Sequence, residues 1–422
     1  MLINKLKQIL SGQFIRNVGW MGGAELVNRI CRLATTVILA RTFNSHDYGL
    51  MAVVYTTYEF ATVFTLKYGI GAKIIQADEQ DVKTLCDTSY WLNWVLCIAL
   101  FIIQCLAAFP IAYFYGNNQL ILPICTVALT YLMLPIFMVH SALIQRENRL
   151  KITAWCNAIQ AILSNIATVI LALLNMGIWA VVLPMVLTTP VWIVINYMNH
   201  SWRPPKSFSL DKWQDITYFG RNMLGVDLLN KLRSNLDYLV VGRILGLEAL
   251  GVYYFAFNAG LGISLNVINA FMSSFFPHIC AARADYKQFK NRYFSSLKLI
   301  AIIVVPLVVL QSSLAPFYVP IIFGQKWVPA IPILIMICIS ALPRTFAWGA
   351  SLLLNAVDKT QITLLFDLIF TVIFTAAVLV AVQWGILWVA AAVLISHLLA
   401  LPVFTVWVSH YVFAKSSKFQ PD

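Results

Sequence analysis

Ten of the ionisable residues inside long apolar runs of this sequence stand out: Glu25, Arg29, Arg32, Glu59, Asp227, Lys231, Arg233, Asp237, Arg344 and Asp367. At the centre of a membrane helix each costs ~2.5–3.5 kcal/mol on insertion scales, on the order of 30 kcal/mol for the set. That is too much to leave facing lipid, so they must pair with one another or line a wet cavity. The five cations (Arg29, Arg32, Lys231, Arg233, Arg344) have the chemistry to hold an anion, and arginine suits phosphate oxygens in particular. The five carboxylates (Glu25, Glu59, Asp227, Asp237, Asp367) can serve as ion-pair partners or change protonation to couple an ion.

Spacing sharpens this reading. Glu25 and Arg29 are four apart and share a helix face, with Arg32 two turns along from Glu25. Asp227 with Lys231, and Arg233 with Asp237, repeat the pattern about 200 residues later. Two charged stripes at equivalent positions are expected to face each other across a repeat interface. The alternative is a set of ion pairs that only lock helices together. Glu59, alone in its run, reads equally as a proton site or a satisfied polar group.

The elements that must carry these residues follow from composition. Of 422 residues, 60% are hydrophobic and only 11% charged, against about 25% charged in a soluble domain. The apolar runs read as about twelve membrane-spanning helices: 14–41, 47–70, 86–112, 119–142, 152–174, 177–199, 214–241, 249–276, 293–317, 328–349, 362–381 and 385–411. Each approaches or exceeds the ~20 residues that cross a bilayer core. The first run, broken by Glu25, Arg29 and Arg32, reads as a retained helix rather than a cleaved signal peptide.

The net charge is +12, but lysine and arginine lie in alternate gaps rather than on one tail or face. Arg146, Arg149 and Lys151 follow the fourth run, and Arg203 and Lys206 the sixth. Arg283, Lys287, Lys290 and Arg292 follow the eighth. Such alternation marks cytoplasmic loops and places both termini in the cytoplasm. It does not read as a nucleic-acid footprint. Six histidines form no metal-ligand spacing, and eight cysteines, mostly within apolar runs, read as small buried hydrophobes. No metal and no cofactor is expected.

The chain repeats internally. At a shift of 202 residues, Gly23-Ala-Glu25-Leu-Val-Asn28-Arg29 matches Gly225-Val-Asp227-Leu-Leu-Asn230-Lys231, and Arg41 pairs with Arg243. At a shift of 208, Gly116 pairs with Gly324, Pro135 with Pro343 and Gly177 with Gly385. Six spans per half is an even number, so the repeat is parallel, as in transporters built of two bundles. The expected domains are an N-terminal six-helix bundle over 1–199, a cytoplasmic linker over 200–213 containing Pro204-Pro205, and a C-terminal bundle with a short tail over 214–422.

Several short motifs run in a recognisable order: Leu39-Ala-Arg-Thr-Phe43, Asp47-Tyr-Gly-Leu50, Gly69-Ile-Gly-Ala-Lys-Ile-Ile-Gln76 and Leu143-Ile-Gln-Arg-Glu147. Trp202-Arg-Pro204, Gly242-Arg-Ile-Leu-Gly246, Phe276-Pro277 and Phe323-Gly-Gln-Lys-Trp327 follow. In these the sequence resembles the Wzx-type oligosaccharide flippases, the polysaccharide transporters of the multidrug/oligosaccharidyl-lipid/polysaccharide (MOP) superfamily. The resemblance implies an all-α, MATE-like, V-shaped transporter in the bacterial inner membrane. It would flip a polyprenyl-pyrophosphate-linked oligosaccharide to the periplasmic leaflet by alternating access, for O-antigen, capsule or exopolysaccharide synthesis. A proton or sodium is the implied coupling ion, with membrane lipid, a polysaccharide polymerase and chain-length proteins as further partners.

The chain stops after about twelve spans, whereas some superfamily members have fourteen, so a lipid groove shaped by the extra pair is not expected. Two other readings compete. A multidrug or organic-cation antiporter would share the topology but should have a cavity dominated by acids and aromatics. A polysaccharide ligase or polymerase should need an external loop for catalytic groups, and gaps such as Asn175–Met176 are too short to supply one. The expectation is therefore not an enzyme.

Overall fold

The computed structural model describes residues 13–65, 67–211, 213–283 and 285–414; a few helical side chains, Asp227 among them, lie outside the described residues. The described chain is helical, without strands. The first half contains α1 (Gln13–Thr42), α2 (Ser45–Val63), α3 (Lys67–Gln76), α4 (Glu79–Tyr115), α5 (Ile121–Arg146), α6 (Leu150–Leu173), α7 (Trp179–Leu187) and α8 (Pro190–Asn199). The second contains α9 (Trp213–Ile244), α10 (Gly246–Cys280), α11 (Tyr286–Tyr318), α12 (Ile331–Ala356), α13 (Thr360–Ala381) and α14 (Ile386–Ala414).

Every expected span falls on helix, but two are interrupted. The run 47–70 is two helices, because the threonines compete for the backbone. Thr62 Oγ1 donates to the Glu59 carbonyl (2.8 Å) and Thr65 Oγ1 to the Thr62 carbonyl (2.7 Å), and such bonds draw the chain out of the helical ladder. The run 177–199 breaks before Pro190, which opens α8 at a position where its missing N–H costs nothing. Among the described residues, eight helical segments are long and apolar enough to cross a membrane, or nine counting α10, which bends by 54° between Gly262 and Val267. The other three expected spans, α1, α2–α3 and α9, are helical; α1 and α9 hold most of the ionisable residues.

The apolar helices turn much of their surface outward. On α6, Leu163, Ile166, Ile170 and Leu173 recur every three or four residues and all are exposed. On α13, Leu365, Leu368, Ile369, Val372 and Ile373 do the same. Stripes this large are unstable in water and belong against lipid. The chain is a multi-pass membrane protein.

Two compact units divide the chain, Met1–Asn235 and Leu236–Asp422, with the boundary inside α9. In the first, α1 packs on α6, α4 on α5, and α5 on α3, α7 and α8. In the second, α12 packs on α10, α11 and α14. Close approach there needs Gly260, where an added Cβ would lie 3.0 Å from both Cys338 Sγ and Leu334 Cγ, as small residues permit at membrane helix contacts.

The repeat is visible in local geometry. Gly116 and Gly324, paired by sequence, both have positive φ (67° and 109°), as do Gly177 and Gly385 (52° and 101°). Asn148 and Asp358 close equivalent loops with φ of 55° and 57°, and short polar residues tolerate this conformation best. The segment 200–213 is packed. Trp91 Nε1 donates to the Ser207 carbonyl (2.8 Å), the Trp202 carbonyl lies 3.0 Å from His140 Nε2, and Trp202 packs edge-on against Tyr90.

Candidate functional site

Most of the charge foreseen from sequence gathers in the first unit. On α1, Arg29 Nε donates to Glu25 Oε1 at 3.0 Å, the expected pair one turn apart. Lys231 Nζ of α9 also reaches a carboxylate 172 residues away, Glu59 Oε2 of α2, at 2.8 Å; the side chain of Asp227, its expected partner one turn away, lies outside the described residues. A long lysine stem from another helix thus gives the carboxylate that looked isolated a cationic partner.

Arg32 belongs to the same unit. It lies on α1 three residues beyond Arg29, while α2 and α9 meet at the Glu59–Lys231 pair. Asn235 Nδ2 donates to the Lys231 carbonyl at 3.0 Å. Arg233 is half-buried in the same unit. The Lys231–Glu59 pair is not sealed: its side chains keep 39% and 45% of their exposure. A pair this open contributes only ~0–1 kcal/mol, while each charge costs ~2.5–3.5 kcal/mol to place in a membrane helix. Stability does not account for its presence.

The second unit holds the remaining candidates in a different setting. Asp237 is buried; Oδ2 accepts from the Tyr253 hydroxyl at 2.7 Å and Oδ1 from the Tyr238 N–H at 3.0 Å. Tyr238 packs edge-on against Tyr253, Tyr254 and Phe257, with centroids 5.4–5.8 Å apart. Asp367 is half-buried on α13, where its carbonyl accepts from Thr371 Oγ1 (2.6 Å). No cluster of histidine, cysteine or carboxylate that could hold a metal occurs among the described residues.

Two buried glutamines escaped the reading of charge. Gln104 Oε1 accepts from the Tyr131 hydroxyl (2.8 Å) and its Nε2 donates to the Ile124 carbonyl (3.0 Å). Tyr131 in turn stacks on Tyr58, centroids 5.7 Å apart. In the second unit Gln311 accepts from Ser264 Oγ (2.7 Å) and donates to the Ala259 and Gly260 carbonyls. The two lie 207 residues apart, close to the repeat shift of 208, and that shift is the signal that could have found them.

Comparison with known proteins agrees with this architecture. The chain is 25% identical over 364 residues to the teichuronic acid biosynthesis protein TuaB of Bacillus subtilis, covering 86% of this chain and 74% of that protein. It is 25% identical over 360 residues to the lipopolysaccharide biosynthesis protein WzxC of Escherichia coli, covering 84% and 72%. Among solved structures, an inward-facing multidrug resistance MATE family transporter of the MOP superfamily aligns with a TM-score of 0.75 at 14% identity, over 93% of this chain and 96% of that one. The lipid II flippase MurJ aligns with a TM-score of 0.72 at 12% identity, over 95% and 93%. The fold is therefore that of the MOP transporters. The model of the polysaccharide biosynthesis protein family matches residues 38–332, most of the chain, and the chain belongs to that family.

Proposed function

We propose that this protein is a flippase that moves polyprenyl-pyrophosphate-linked oligosaccharide repeat units from the cytoplasmic to the periplasmic leaflet by alternating access. The observation that carries the reading is the mixed charge of the first unit's membrane helices, where Arg29 pairs with Glu25 and Lys231 with Glu59, with Arg32 further along the helix that carries Arg29. A pyrophosphate needs fixed cations, and arginine offers paired N–H donors that match its oxygens. Arg233 and Arg344 complete the cationic set. Glu25, Glu59, Asp227, Asp237 and Asp367 are the carboxylates available to balance it or to carry a coupling proton or sodium. Family membership and the transport relatives support the same substrate class.

The alternating Lys/Arg gaps support an inner-membrane protein with both termini cytoplasmic, and the repeat supports two six-helix bundles joined at 200–213. The protein acts without catalysis of its own; a polysaccharide polymerase and chain-length proteins would act on what it delivers. One feature favours a second reading. Asp237 with its tyrosines is the acidic and aromatic chemistry of an organic-cation antiporter.

Replacing arginines separates the two. Arg32→Ala or Arg344→Ala should abolish surface polysaccharide while lipid-linked repeat units accumulate on the inner leaflet. Arg→Lys should restore only part, because an ammonium loses the two-pronged geometry. Normal export by the double alanine variant at native expression would remove both residues from the site.

A further inference from the structure

A second cationic feature, built of other residues, lies where α6 begins and α8 ends. Arg149, Lys151 and Asn199 form the rim of an open cavity of about 510 Å³, and Ile152, Trp155, Ile159 and Ile195 form its wall. No carboxylate lines it among the described residues. Lys151 Nζ sits 4.8 Å from the Trp20 ring centroid, and Trp20 and Trp155 are 6.2 Å apart. Arg149 is braced by bonds from Nη1 to Glu147 Oε2 (3.0 Å) and to the Asn199 carbonyl (3.1 Å). Glu147 lies outside the spans, and Arg149 and His200 beside it hold its carboxyl below the usual range.

The cavity does not end in polar surroundings. Its wall residues 152, 155 and 159 follow one face of α6, and the exposed stripe Leu163, Ile166, Ile170 and Leu173 continues that face. From residue 152 to residue 173 the helix rises about 30 Å, longer than one leaflet of a bilayer whose whole core is about 30 Å. Cations at the mouth, tryptophans at the level of the headgroups and an apolar track beneath match a lipid with an anionic head. Free phosphate would gain nothing from the track.

The geometry points to a binding site for the phosphate headgroup of an acidic phospholipid at the Arg149–Lys151 rim, its acyl chain lying along α6. Basic pockets between membrane helices bind such headgroups, at about a fivefold gain per cation. The site takes bulk membrane lipid, shares no residue with the proposed transport set and stands whether or not the protein is a flippase.

Native mass spectrometry of the full-length protein in detergent, titrated with phosphatidylglycerol, tests this. Lys151→Gln, which removes only a cation–π contact, should weaken binding about fivefold, and Arg149→Gln with Lys151→Gln about thirtyfold. Lys287→Gln with Lys290→Gln removes equal charge elsewhere and should leave binding unchanged, as should phosphatidylcholine remain weakly bound in every variant. An unchanged unfolding midpoint of Lys151→Gln in lipid-free detergent keeps that comparison valid. Equal losses in the rim and control variants, or none in either, would overturn the proposal. Displacement of phosphatidylglycerol by equimolar inorganic phosphate or polyprenyl phosphate would do so too, by assigning the rim to a free anion or to the transport substrate.

Discussion

At the scale of single residues, Arg29 pairs with Glu25 along one helix and Lys231 with Glu59 between two. Ionisable groups in apolar runs demand partners, and spacing within one helix identified Glu25 with Arg29, found at 3.0 Å. Lys231 also meets Glu59 from another helix, and no local pattern reports which helices become neighbours. The pair also makes a sharp prediction. Glu59→Gln should leave folding nearly intact, a loss of ~0–1 kcal/mol, yet impair polysaccharide export, because Lys231 loses the charge that holds it. Exchanging the two (Glu59→Lys with Lys231→Glu) should restore the ion pair without restoring transport. Full export by the exchanged variant, measured as surface polymer at equal protein level, would instead make the pair a structural bridge.

At the scale of elements, one arginine does much of the positioning near the breaks. Arg146, at the end of α5, is mostly covered, and its Nη1 donates to the carbonyls of Ile74 (3.0 Å), Ile75 (3.1 Å) and Ala77. These carbonyls lie at or just past the end of α3, where a cation is also favoured by the helix dipole. Nη2 reaches Glu79 at 2.9 Å, which opens α4. One side chain thus ties three helices. Arg146→Ala should cost about 2–3 kcal/mol, since bonds from a charged donor are lost at partly buried acceptors. It should lower the unfolding midpoint in detergent, while Glu79→Ala, with its acid 92% exposed, should barely move it. Equal shifts would show that the carbonyl cap contributes nothing.

Helix positions themselves were readable from hydropathy, because crossing a bilayer requires long apolar runs. The breaks were not. Thr62 and Thr65 look like ordinary span residues until their hydroxyls are seen on the backbone. Segment 200–213 reads as a linker from its prolines and charges. That Trp91, Tyr90 and His140 pack on it was not legible, because these contacts join residues more than 60 apart in the chain and no local pattern encodes them.

At the scale of the whole molecule, repeat, loop charge and family all describe a membrane transporter of polysaccharide precursors. The loop rhythm predicts sidedness. On a cysteine-less background, cysteines at Asn118 and Gln325 should react with an impermeant thiol reagent applied from outside intact cells. Cysteines at Ser207 and Lys287 should react only after permeabilisation. The reverse pattern would invert the topology. Movement of substrate is the central claim, and reconstitution tests it most directly. Purified protein would be placed in vesicles whose lipid-linked oligosaccharide has been confined to the inner leaflet, and exposure would be followed with an impermeant sugar-oxidising reagent outside. The account predicts that oligosaccharide becomes accessible with the wild-type protein and stays protected with the Arg32→Ala, Arg344→Ala variant. Protection with the wild-type protein, under any imposed proton or sodium gradient and with vesicles shown to be sealed, would contradict it.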